Sequence, residues 1–261
     1  PGAVDGQVWY NSTAANFKFN AVLSASFSSG GNMAAAKNSA GGTGTNTAAL
    51  SFGGKSPGYT NLTEEYNGTA WTGGGNLTTI RAGLGSAGTQ TAGLGFGGQI
   101  GPPSYADTTV TEEYNGTAWT GGGALTTARK YIGGCGTQTA GLAFGGSGPS
   151  NSTEEYNGTA WTGGGNLNVA RNYISGCGTQ TAGLAAGGYI AFSPYVEAEK
   201  VEEYNGTAWT NVTSLTTGRR SASIGGIQTN ALFMGGKPAT PGNDATTATE
   251  LYDGSSWTNS A

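Results

Sequence analysis

The string TEEYNGTAWTGGG occurs three times, at Thr63–Gly75, Thr111–Gly123 and Thr153–Gly165, and no other feature of the 261-residue chain constrains its fold as much. Variants VEEYNGTAWTNVT and TELYDGSSWTNSA begin at Val201 and Thr249. The tyrosines Tyr66, Tyr114, Tyr156, Tyr204 and Tyr252 stand 48, 42, 48 and 48 residues apart, and Trp71, Trp119, Trp161, Trp209 and Trp257 keep those intervals. A unit of this size cannot bury its own faces, so neighbouring units must cover them.

Each unit reads as four short strands. The first is glycine-rich, as at Asn172–Gly178, and a GTQT turn leads to an apolar second strand such as Ala140–Phe144. That strand ends in a glycine doublet, at Gly53-Gly54, Gly97-Gly98, Gly145-Gly146, Gly187-Gly188 and Gly235-Gly236. The third strand is Thr-Glu-Glu-Tyr and the fourth carries Ala-Trp-Thr. Asn-Gly between them predicts a tight hairpin with positive φ at both central residues. Arg81, Arg129, Arg171 and Arg219 open successive units, with Lys37 in that place for the first. No segment has the length or pattern of a helix. Four-stranded units at this period pack radially into a propeller. Small residues such as Gly133, Gly134 and Gly176 crowd the axis, while the repeated Tyr and Trp rings fill the widening gaps between sheets.

In unit form, Gly145-Gly146, a variable loop, Glu154, Tyr156, Trp161, Leu167 and Arg171 resemble the kelch motif, and the likeness runs from Lys37 to Trp257. It implies an all-β, kelch-like β-propeller in which the doublet closes each second strand. The near-identical glycine-rich units also resemble repeat arrays of phage tail-fibre-like proteins. That likeness implies an extracellular setting on a virion or cell surface and a receptor-binding role.

Residues 1–33 depart from the repeat. Gln7–Asn11 and Asn16–Asn20 read as a hairpin, and Phe27–Met33 mirrors Trp71–Leu77. The expectation is six blades, five complete and one shortened blade from residues 1–33, with 34–261 forming the five repeats of the same domain. The alternative is five blades with the hairpin outside the ring. Because the chain begins without Met, it also reads as a processed protein or a segment of a longer one.

The net charge is −4 and the sequence contains no histidine. Phosphate-backbone binding needs a basic footprint that is missing here, so nucleic acid is not an expected partner. No apolar run reaches the length of a transmembrane helix, so membrane insertion is not expected. Without histidine there is no His-based triad and no His-ligated metal, including the copper of galactose-oxidase-like propellers. No cofactor is expected. Nine of the fifteen acidic residues lie in the repeated Glu-Glu-Tyr element, whereas a catalytic pair needs one special location. The expected role of the repeated charges is an ion pair of one Glu of each Glu-Glu pair with the Arg of its own or a neighbouring blade, such as Glu112 with Arg129; the alternative is solvated charge on an outer strand. Cys135 and Cys177 occupy matching inner-strand places that Thr43, Ala87 and Gly225 fill elsewhere, which predicts small, free thiols near the channel.

Variation concentrates between the doublet and the third strand, at Lys55–Thr63, Gln99–Thr111, Ser147–Thr153, Tyr189–Val201 and Lys237–Thr249. Propeller geometry gathers these loops on one face, a layout suited to recognition. Candidate ligand contacts are Tyr59, Tyr105, Asp107, Tyr189, Phe192, Tyr195 and Glu197, aromatic platforms beside carboxylates. A host-surface glycan or protein is the expected partner. Other copies of the chain or virion proteins are the partners of a purely structural subunit, and a glycan-processing enzyme is the third reading.

Overall fold

A computed structural model describes residues 8–11, 16–19, 30–192, 195–238 and 245–260. Their secondary structure is all β, without helices, and five four-stranded antiparallel sheets form a propeller-like ring. Blade 1 comprises Gly41–Thr45, Ala48–Phe52, Thr63–Tyr66 and Trp71–Gly73, from the innermost strand outward. Blade 2 comprises Gly85–Gly88, Gly93–Phe96, Thr111–Tyr114 and Trp119–Gly121. Blade 3 comprises Gly133–Gly136, Gly141–Phe144, Thr153–Tyr156 and Trp161–Gly163. Blade 4 comprises Ser175–Thr179, Ala182–Ala186, Val201–Tyr204 and Trp209–Val212. Blade 5 comprises Ser223–Ile227, Asn230–Met234, Thr249–Tyr252 and Trp257–Ser260.

Among the described residues no sixth blade is formed. Val8–Asn11 and Asn16–Phe19 do make the expected hairpin, but it is a two-stranded sheet of its own. Part of the mirrored segment Phe27–Met33 lies outside the described residues. Residues 34–37 do sit on blade 1 as residues 78–81 sit on blade 2. The Ala34 N–H donates to Glu64 at 2.7 Å, as Thr78 does to Glu112, and Lys37 pairs with Glu64 at 3.1 Å. Likeness to an outer strand therefore reports how the chain enters blade 1, not a further sheet.

Two local expectations also change. The Asn-Gly hairpin is a four-residue loop: Tyr66 pairs with Trp71, and Asn67 Oδ1 accepts from the N–H groups of Thr69 and Ala70. Only the glycine, Gly68 at 91°, needs positive φ, because the asparagine side chain closes the turn. The inner strand of blade 4 starts at Ser175 rather than Asn172, since Tyr173 adopts φ 49° and interrupts it.

Blades are joined by repeated side-chain latches, a tyrosine and a glutamine at all four successive interfaces and a tryptophan at the first three. The indole N–H of Trp119, Trp161 and Trp209 donates across the gap to Thr63, Thr111 and Thr153, each at 2.9 Å. The hydroxyls of Tyr114, Tyr156, Tyr204 and Tyr252 reach back to Glu65, Glu113, Glu155 and Glu203. Gln90, Gln138, Gln180 and Gln228 each donate to two carbonyls of the preceding blade. Between these bonds lies the apolar core, exemplified by Leu50, Phe52, Leu77, Leu84, Tyr114 and Trp119.

The interface of blades 4 and 5 achieves the same filling with the sizes reversed. Elsewhere a phenylalanine faces a small residue of the next blade: Phe52 abuts Gly95, Phe96 packs with Ala143, and Phe144 packs with Ala185. Here blade 4 offers Ala186 and blade 5 supplies the ring, Phe233. Val201 replaces the latch threonine, and the buried indole N–H of Trp257 has no partner among the described residues.

The faces of blades 1 and 5 that look away from this stack are built differently. In blades 2 and 3 the whole second strand is buried, whereas in blade 5 Ala231 and Phe233 are buried but Leu232 and Met234 are half-buried. Leu251 stands where the latch glutamate would be, and Asn46 stands where the latch glutamine would be.

Both the packing and the latches can be measured. Phe233→Ala should lose about 3–5 kcal/mol and Ala186→Phe about 1–3 kcal/mol. The double variant restores the Phe-to-Ala arrangement of the other interfaces, so denaturant titration should show most of that loss recovered. Burial, then the partner carboxylate, pushes the phenols of Tyr114, Tyr156 and Tyr204 up to about 12. An unfolded tyrosine ionises near about 10, so the latches' contribution is fully present below that pH and is lost as pH rises towards 12. Absorbance at 295 nm and circular dichroism should show these phenols ionising together with loss of the fold.

Candidate functional site

Loop positioning begins with the arginine that opens each unit. Arg129 is 2 % exposed, and its guanidinium donates to the carbonyls of Gly145 at 2.8 Å and Ser152 at 2.9 Å and to Glu154 at 2.7 Å. Gly145 and Ser152 bracket the variable loop of blade 3, so this clamp pins both ends of it. Arg81, Arg171 and Arg219 repeat the arrangement with Glu112, Glu202 and Glu250 at 2.9, 2.8 and 2.6 Å. The partners therefore belong to the same unit: Glu112 meets Arg81, and Arg129 meets Glu154. Burial pulls the guanidiniums of Arg81, Arg129 and Arg171 below their ordinary value, with the glutamates opposing it. Removing one partner of such a buried pair typically destabilises by about 3–5 kcal/mol.

The doublet glycines turn the chain out of the second strand at positive φ, 68° and 116° for Gly145 and Gly146. The loop then runs beside the connection that enters the blade. Gln99–Ile100 pairs with Arg81–Ala82, Lys237–Pro238 with Arg219–Arg220, and Tyr189 with Asn172. Loops and inter-blade connections accordingly share one face, as expected.

At the centre of that face the channel opens through a belt of left-handed residues. Ser39, Gly83, Tyr131, Tyr173 and Ser221 occupy one repeat position, two after the clamp residue, with φ between 49° and 69°. Each is bonded to the next through the backbone: Gly83 N–H to Ser39 carbonyl at 2.8 Å, Tyr131 to Gly83 at 2.8 Å, Tyr173 to Tyr131 at 3.0 Å and Ser221 to Tyr173 at 3.2 Å. Glycine meets this geometry freely, while a side chain there costs about 1–3 kcal/mol. Tyr131 and Tyr173 stack with centroids 3.9 Å apart. Burial and then the Tyr131 hydroxyl push the Tyr173 phenol well above its ordinary value. A cavity of about 300 Å³ lies beside the stack, lined by Ser39, Ser221, Ser175 and Ser223 and by Leu84, Ile132 and Ile174, and it opens into the channel.

The residues expected from sequence divide around this mouth. Tyr59 and Tyr105 meet edge to face at 5.8 Å, with Lys55 over Tyr59 and Tyr105 54 % exposed. Asp107 does not flank a free platform; it accepts from Ser147 at 2.5 Å and pairs with Lys130 at 3.1 Å. Tyr189 is buried and the Glu197 side chain is 2 % exposed; both engage Arg220, Tyr189 with its ring 5.3 Å from the guanidinium and Glu197 by an ion pair. Their contacts with Arg220 set them beside the belt residue Ser221. Phe192 and Tyr195 face each other in the register of a hairpin strand pair, and their side chains lie outside the described residues. Tyr131 and Tyr173 escaped sequence reasoning, although the signal was present as two aromatics at a repeat position otherwise holding Ser or Gly.

Cys135 and Cys177 lie deeper along the channel as free, buried thiols. Burial pushes Cys177 up to about 12 and Cys135 higher still.

No protein-family model matches the chain, and no curated protein matches it.

Because the thiolate is the reactive form, a disulfide exchange reagent at pH 8 should find neither thiol in the native protein and both after denaturation.

Proposed function

We propose that the chain is a non-enzymatic surface recognition module, a kelch-like propeller of the kind that serves as a phage tail-fibre or other virion receptor-binding part. One observation carries this reading. Repeated clamps hold rigid loop bases around the ring, while sequence variation and exposed aromatics such as Tyr105 sit on the same face as the channel mouth. Variable loops on a fixed scaffold suit recognition, and tyrosine adds contact area at low entropic cost. The repeated carboxylates are absorbed by structure, in arginine clamps and in tyrosine latches, which supports binding over catalysis.

A structural subunit that associates with other copies is the second reading. It is favoured by the half-buried Leu232, Met234 and Leu251 on the outward face of blade 5.

Flow cytometry of labelled chain on a panel of bacterial strains tests the first reading. Strain-selective staining that falls on periodate treatment of the cells supports a glycan receptor, and a fall on protease treatment supports a protein. Uniformly absent staining, with concentration-dependent assembly in light scattering, would replace it with the second.

A further inference from the structure

We propose that the channel mouth binds a neutral sugar residue against the Tyr131–Tyr173 stack, an inference that rests on the recognition reading and names its ligand class. The chemistry of the cavity selects the ligand. Among the described residues, those bordering it carry no formal charge; they comprise serines and tyrosines together with the aliphatic Leu84, Ile132 and Ile174. The two cations nearest the stack are already neutralised, Lys130 by Asp107 at 3.1 Å and Arg220 by Glu197. An anionic ligand would find no unpaired positive partner and would have to lose its hydration. A neutral pyranose presents what the walls complement: hydroxyls around its rim, which bond to groups that both donate and accept, and a C–H face for apolar contact. At about 300 Å³ this part of the channel has room for a single sugar residue.

The aromatic wall is a built feature. Of five equivalent positions only the two adjacent ones carry rings, and both rings are held at φ 53° and 49°, where Gly83 of blade 2 sits without strain. Gly83 also makes room for the stack, since a Cβ there would lie 2.9 Å from the Tyr131 ring. Strained backbone that the surroundings impose collects at ligand sites. Here two rings line the mouth while the belt positions Ser39 and Ser221 stay small and polar.

The test is binding of the labelled whole chain to a printed array of neutral and sialylated oligosaccharides. The wild type should mark neutral glycans. Tyr131→Ser with Tyr173→Ser, which installs the residue found at this place in Ser39 and Ser221, should lower that binding at least about tenfold. Thr120→Ala, on the exposed outer strand of blade 2, should leave it unchanged. Should the double serine variant fail to fold, Tyr131→Phe with Tyr173→Phe keeps the rings and removes only the hydroxyls, and a several-fold loss is expected. Preference for sialylated glycans, binding indifferent to both variants, or no binding to any feature would overturn the proposal. Strain-selective cell staining that persists in the serine variant would overturn the mouth subsite alone; absence of cell staining would remove the recognition reading as well.

Discussion

The ring depends on large side chains that leave their own sheet and are satisfied only by the preceding one. Trp161 buries its indole against Phe96 and donates to Thr111, while Tyr156 crosses the same gap to Glu113. The two latches join residues 50 and 43 positions apart, so no unit is complete alone. The rings supply area and the polar ends supply register, because a blade shifted by one residue would bury an indole N–H and a phenol without partners. The Trp257 site, where Val201 leaves that N–H unpaired, shows which part can be dispensed with when Phe233 keeps the volume filled.

On this frame the variable loops cost the core nothing. Each arginine clamp satisfies the carbonyls at both ends of its loop, so the residues between can change in number and kind while the blade stays the same. The 42-residue spacing from Tyr114 to Tyr156 is such a case, with the loop from Ser147 shorter than its counterparts. The inter-blade connections carry the left-handed belt, whose backbone bonds join its five positions in sequence around the channel mouth.

Much of the fold was legible because it repeats. Glycine doublets, the Glu-Glu-Tyr strand and the tryptophan strand recur in register, and each has a local physical reason. The blade number was not legible, since the chain entering blade 1 uses the contacts of an outer strand, Ala34 on Glu64 and Lys37 beside it, without the strands that would complete a sheet. The partner of Glu112 was open because the repeat places an arginine on both sides of it, and only folding brings Arg81 rather than Arg129 within 2.9 Å. Tyr131 and Tyr173 were hidden for a different reason. Their importance lies in a backbone conformation and a stack, neither of which leaves a pattern in a single unit.

Val201→Thr tests the latch account most directly, because it supplies the acceptor that Trp257 lacks in exchange for one methyl of the interface core. Equilibrium denaturation should show a gain of about 1 kcal/mol, the worth of one new buried hydrogen bond. A loss of about 1–3 kcal/mol, the ordinary result of placing an unpaired hydroxyl in a core, would contradict it.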